Sequence, residues 1–300
     1  MRIGFRDQGS GTRDQKLGGQ GAFLLRRGWC SWLLVLTMGL GFFAQTALAE
    51  KPRVIALAPH LAELVFAAGA GETLVATVVW SDYPEAAAAL PRIGDAFRLD
   101  LERIVGLDVD IALAWEGGTP PAAAERLAAL GIEVIWIRTR SLAEIGNALI
   151  ELGERLGQPE HGQAAAADFQ AALQSRPAAS ADSLIPTFYQ VSERPLFTLG
   201  GRHIINEILT RCGARNVFAD LDVTASAVDR EAVLARQPRL ILAGQDGSQV
   251  DPLALWQRDR DALPEDLRLL EVDPDILIRP TPRIVAGIDQ LCAALTSSGH

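Results

Sequence analysis

Arg53-Val-Ile-Ala-Leu-Ala-Pro-His-Leu-Ala-Glu-Leu-Val-Phe-Ala-Ala-Gly69 is the stretch that decides the fold. Val54–Leu57 is a short apolar run that reads as a strand. A helix from about Leu61 to Ala68 follows and stops at Gly69. The same unit recurs outward. Leu74–Val79 is a second strand and ends at Trp80; Asp110–Ala114 is a third, ends at Trp115 and is followed by Gly117-Gly118; Ile132–Ile137 is a fourth. Helical stretches lie near 100–107 and 121–130. Short β-branched runs separated by helices of this length predict parallel βα units. From Ser141 to about Arg176 the strand pattern disappears, and helix formers continue with one interruption at Gly157-Gln158-Pro159. The composition predicts a rigid helical connector rather than a loose linker. Strands return at Ile185–Val191, Leu240–Ala243 and Leu267–Val272, with helices near 203–211, 230–235 and 282–296. The expected organisation is an α/β lobe over 50–140, a helical connector over 141–180 and a second α/β lobe over 181–300.

The 300 residues are 49% hydrophobic and 22% charged, a globular composition with room for two domains. The formal charge is −9, and six of the 28 Lys/Arg fall before Glu50, so the rest of the chain is more acidic still. Such a body is a poor partner for polyphosphate or anionic lipid. Arg26-Arg27, an apolar run from Trp29 to about Phe43, and Ala47-Leu48-Ala49 form the three parts of a secretory signal peptide, with cleavage expected after Ala49 and export to the periplasm. The run is shorter than the roughly 20 residues of a spanning anchor. Residues 1–25, polar and Gly-rich, read either as a leader extension or as a stretch ahead of the true start. Export leaves Cys212 and Cys292, which in an oxidising compartment predict a disulfide over two buried free thiols.

Catalytic motifs are absent from the sequence: no phosphate-binding Gly-rich loop with its Lys, no His-Glu-x-x-His, no Gly-x-Ser-x-Gly. Gly69-Ala70-Gly71 ends a helix instead of opening one. His60, His161, His203 and His300 share no ligand spacing, so no metal site is expected. The aromatic residues say more. Trp80 and Trp115 stand at the carboxyl ends of predicted parallel strands, the edge where open α/β sheets hold ligands. Phe97 lies in the loop before the helix at 100–107, and Phe197 follows Pro195 in a predicted loop of the second lobe. Aromatics on facing edges suit a broad, mostly apolar ligand, against the alternative that some fill cores. Trp136 reads as core or cleft wall.

Arg53–Gly69, Trp80-Ser-Asp-Tyr-Pro84, Asp100-Leu-Glu-Arg-Ile-Val105, Pro195-Leu-Phe-Thr-Leu-Gly200, Cys212-Gly-Ala-Arg-Asn-Val-Phe218, Arg230-Glu-Ala-Val-Leu-Ala235 and Pro282-Arg-Ile284 follow one another along the chain. In that order they resemble the solute-binding proteins of metal-chelate ABC importers, and most of all their vitamin B12 (cobalamin)-binding branch. The resemblance runs from about Arg53 to Leu295. It implies two Rossmann-like lobes joined by a single long helix, with cobalamin between them as a transported ligand and not a cofactor. It implies a binding protein, not an enzyme, acting as a monomer that delivers its ligand to a permease dimer with ATPase subunits. Trp80 falls on a cleft tyrosine of that branch, Trp115 on a cleft tryptophan and Phe197 on a cleft phenylalanine. Asp275-Ile276-Leu277-Ile278-Arg279 falls on a corrin-contacting loop. Cys212 and Cys292 match the family disulfide, and Glu102 and Glu231 match two permease-docking glutamates. This chain departs in three places. Ala96, with Phe97 beside it, replaces a tryptophan. Ile276-Leu277 replaces a Trp-Phe pair. His60 is new, either a polar residue opening its helix or a metal ligand facing the cleft. Fewer aromatics leave open a modified corrinoid, a ferric siderophore or haem.

Overall fold

Val54–Ala56 forms β1, the centre of a parallel sheet completed by β2 (Leu74–Thr77), β3 (Ile111–Trp115) and β4 (Glu133–Ile137) in the order β2-β1-β3-β4. The crossovers carry α1 (Pro59–Ala67), α2 (Glu85–Ala88), α3 (Leu101–Val105) and α4 (Pro121–Ala129). Successive residues of a strand point to opposite faces, and β1 is apolar on both. Val54 and Ala56 pack with Leu61, Leu64 and Leu149 on one side, while Ile55 and Leu57 pack with Ala112 and Leu127 on the other. A sheet covered on both faces explains the unbroken apolar runs of the sequence. The computed structural model describes residues 51–95, 98–176, 184–245, 250–258 and 260–297. The expected signal segment and Phe97 lie outside them.

The connector is two helices, α5 (Leu142–Arg155) and α6 (Pro159–Gln174), turned at Gly157, which has φ +77°. They meet at Gly153 and Gly162, where a Cβ on Gly153 would come within 2.8 Å of Gly162 Cα. α5 packs on α1, so the crossing is made by α6, about 24 Å long at 1.5 Å per residue. Phe169 and Leu173 of α6 belong to the same buried core as Leu64 of the first lobe and Leu240 and Leu291 of the second.

The second lobe contains β5 (Ile185–Glu193), β6 (Leu196–Leu199), α7 (Ile205–Arg211), β7 (Ala214–Asn216), β8 (Ala225–Ala227), α8 (Arg230–Ala235), β9 (Leu240–Gly244), α9 (Ala254–Arg258), β10 (Arg268–Val272), α10 (Pro274–Leu277) and α11 (Ile284–Ser297). Its sheet runs β10-β9-β5-β6-β8, with β7 beside the start of β5; β6 is antiparallel to both neighbours. Strands β6, β7 and β8 are absent from the sequence-based expectation, because three or four residues are too few to show a period. Phe197 therefore sits on β6 and not in a loop. Trp136 is neither core nor cleft wall: it is 41% exposed on the edge strand β4. Cys212, at the end of α7, is bonded to Cys292 of α11 across 80 residues of chain.

Candidate functional site: the cleft between the lobes

The strand order of the first sheet reverses at β1, so the chain leaving β1 and the chain leaving β3 depart to opposite sides. That opens a crevice at their carboxyl ends. Pro59 and His60 come from the first exit, and Trp115 and Gly117 from the second. Across from them stand Leu199 at the end of β6, His203, Thr224-Ala225 at the start of β8, and Ile278-Arg279-Pro280 after α10. Together they wall a cavity of about 540 Å³ drawn from both lobes.

Trp115 is half-buried at the cleft, with its main-chain N–H donating to Thr119 Oγ1 at 2.9 Å. Its indole lies across the Gly117-Gly118 backbone, where a Cβ on either glycine would fall within 2.5 Å of the ring. The ring of His60 meets it edge-on, with centroids 4.9 Å apart and planes at 80°. Three buried polar atoms around this wall have no hydrogen-bond partner: His60 Nε2, Trp115 Nε1 and Thr139 Oγ1. Burial, helped by the Arg279 charge, pushes the His60 imidazole down to about 3. Burial alone takes His203 down to about 4. Both rings are neutral at pH 7, one on each side of the cleft. Among the described residues, no group of three or more His, Cys, Asp or Glu is placed to hold a metal ion.

Arg279 is the cleft's cation, and three carboxylates share it: Asp82 at 2.7 Å, Asp275 at 2.8 Å and Glu63 at 3.4 Å. Burial raises the Asp82 carboxyl, but the Arg279 hydrogen bond and charge outweigh it and leave the group below its ordinary value. Asp275 goes the other way, raised chiefly by burial. Glu63 and Asp82 belong to the first lobe, Arg279 and Asp275 to the second, so the network ties the lobes together beside the cavity. Arg283 adds a fork onto Glu63 and lies 4.0 Å over the Tyr83 ring.

The other residues singled out in the sequence fall as follows. Trp80 does not line the 540 Å³ cavity. It stands 76% exposed on the turn after β2, two residues before Asp82, with φ +67°. A bulky side chain held in the left-handed region, pointing to solvent, is a strained arrangement of the kind that collects at functional rims. Phe197 is half-buried on β6, on the same face as the cleft residue Leu199 two positions on. In the 275–279 segment, Ile278 and Arg279 face the cleft. Leu277 does not: the single turn of α10 rotates it into the core at 1% exposure. Ile276 lines a separate hollow between β10 and α11. Glu102 and Glu231 are exposed on matching short helices. Each lies two residues after an Asp cap, Asp100 accepting from Arg103 N at 3.0 Å and Asp229 from Ala232 N at 2.6 Å. Neither glutamate forms an ion pair among the described residues.

Sequence reasoning missed Glu63, Asp82 and Arg283 as site residues. Glu63 carried a signal: it is one charge inside the apolar run Leu61–Phe66, and a carboxylate buried there needs a cation. Its partner lies 220 residues away, and no local pattern links the two.

Two α/β lobes, one on a parallel and one on a mixed sheet, bridged by a helix and walling a cleft against Trp115, make a solute-binding frame. The model of the periplasmic binding protein family matches residues 54–267, and the chain belongs to that family. A vitamin B12-binding protein of Vibrio cholerae is 36% identical over 259 residues, covering 84% of this chain and 94% of that one. The crystal structure of a periplasmic vitamin B12-binding protein of Vibrio cholerae superposes with a TM-score of 0.73 at 35% identity, over 82% of this chain and 97% of the other. A periplasmic haem-binding protein of Pseudomonas aeruginosa superposes with a TM-score of 0.67 at 26% identity, over 83% and 94%.

Proposed function

We propose that this protein captures cobalamin, or a related corrinoid, in the cleft between its lobes and delivers it to an ABC importer. It acts in the periplasm, after removal of the segment ending near Ala49, and it binds without catalysing. The observation that carries this reading is the 540 Å³ cavity walled from both lobes against Trp115, in a chain 36% identical to a relative named for vitamin B12. Trp115, His60, Leu199, Ile278 and Arg279 form the cavity wall, Trp80 and Phe197 extend it outward, and Phe97 and Asp275 stand as further contacts. Glu102 and Glu231, one exposed acid on each lobe, dock onto cations of a two-fold permease.

A second reading, another metal chelate such as a ferric siderophore or haem, draws on His60, a neutral imidazole with an unpartnered Nε2 at the cleft. Haem's two propionates argue against it, because Arg279 already serves three carboxylates. Purified mature protein titrated in parallel with cyanocobalamin, haem and a ferric siderophore separates the readings. Preference for cyanocobalamin is expected; saturable binding of haem or the siderophore without it reverses the assignment.

A further inference from the structure

A second, much smaller cavity of about 20 Å³ adjoins the cleft at Trp115, which lines both. It shares Trp115, Gly117, His203 and Thr224 with the cleft and adds Thr139, Arg140 and Arg202. The space admits one group the size of a water molecule. Its wall carries side-chain donors that lack a partner. Trp115 Nε1–H and the Thr139 hydroxyl are buried with no partner, and Thr139 is only 3% exposed. His203 Nδ1 accepts the Ile205 N–H at 3.0 Å, so its proton sits on Nε2, a third donor. Each of the two guanidinium groups faces a carboxylate: Arg202 forks onto Asp222 at 2.6 and 2.7 Å, and Arg140 reaches Glu116 at 3.4 Å. Unsatisfied buried polar groups are costly and rare in native proteins, and two of them, Trp115 Nε1–H and the Thr139 hydroxyl, with the His203 Nε2–H beside them, define a site for an acceptor.

We propose that this cavity is a subsite that receives the carbonyl oxygen of one peripheral carboxamide of the bound corrinoid, selecting that amide over the corresponding carboxylic acid. The inference rests on the corrinoid reading of the main cleft. In the free protein one water occupies the space; the amide oxygen displaces it and accepts from Trp115 and Thr139. A carboxylate is disfavoured because Asp222 and Glu116 already face the two nearby cations, and a third negative charge beside them would be repelled.

Affinities for cyanocobalamin and for its isomeric monocarboxylic acids, each with a different peripheral amide hydrolysed, test this in the wild type, Thr139→Val and Thr139→Ser. Loss of one buried hydrogen bond corresponds to about tenfold in affinity. The wild type is expected to bind one isomer at least about tenfold more weakly than the others. Thr139→Val is expected to weaken cyanocobalamin by a similar factor and to level the isomers, while Thr139→Ser keeps the wild-type pattern. Thermal melts of all three variants separate a folding defect from a lost contact. Equal binding of every isomer by the wild type, or unchanged cyanocobalamin affinity in a folded Thr139→Val, overturns the subsite and leaves a structural water in its place. Failure of the wild type to bind cyanocobalamin at all overturns the corrinoid reading, and the subsite with it.

Discussion

Arg283 reaches from the second lobe to fork onto Glu63 of the first, with Nε 2.9 Å from Oε2 and Nη2 2.7 Å from Oε1. The Glu63 side chain is 3% exposed, so this is a desolvated carboxylate whose charge is met from the opposite lobe. A fork of two charge-assisted hydrogen bonds fixes orientation as well as distance.

Removing one partner of such a pair leaves the other buried and uncompensated, at a cost of about 3–5 kcal/mol. Arg283→Ala retains Arg279 near Glu63, so the loss is expected toward the lower end, about 3 kcal/mol. Urea denaturation followed by far-ultraviolet dichroism checks it. A midpoint equal to the wild type would mean that the fork carries no stability.

The lobes are expected to keep their relative position on binding ligand. α6 cannot bend without breaking backbone hydrogen bonds. Glu207 of α7 accepts from Leu142 N at the start of α5 at 3.0 Å, a further polar tie beside the Glu63 network. Small-angle scattering with and without cyanocobalamin should give nearly the same radius of gyration. A contraction of several ångströms would contradict the rigid frame.

The alternation of strand and helix, the helical crossing and the place of Trp115 were legible in the sequence, because each rests on local pattern: apolar runs, capping residues, an aromatic at a strand end. The short strands β6 to β8 were not, since their pairing with β5 is a tertiary event. The resemblance gives Leu277 to the ligand along with the rest of its segment, but only the turn of α10 decides which of Leu277 and Ile278 faces inward. The Glu63–Arg283 fork spans 220 residues, a distance over which no sequence period operates.

Acid is expected to destabilise the fold in a defined window. His60 is held at about 3 and His203 at about 4, both below the ordinary 6.5. As pH falls below 6.5 the unfolded chain takes up protons that the folded chain refuses. Their contribution to stability is therefore complete above about pH 6.5 and is lost progressively toward pH 3–4. The melting temperature should decline through that range, and His60→Asn should decline less steeply. Equal slopes for the two proteins would count against a buried neutral His60.

Glu102 and Glu231 are expected to act only at the permease. Their exposure, and their lack of ion-pair partners among the described residues, leave them free for a partner's cations. Losing one side of a desolvated interfacial charge pair costs about 2–5 kcal/mol. Glu102→Ala with Glu231→Ala should abolish corrinoid uptake in cells while leaving ligand affinity and melting temperature near wild type. Uptake equal to the parent would remove the docking assignment.

The central claim is that the inter-lobe cleft, built against Trp115, holds the corrinoid. Isothermal calorimetry of the mature protein with cyanocobalamin, beside Trp115→Ala, tests it most directly. The wild type is expected to bind one equivalent. Loss of the indole wall should cost about 2 kcal/mol or more, roughly thirtyfold in affinity, with stoichiometry unchanged. Identical affinities for the two proteins would place the ligand elsewhere and contradict the account.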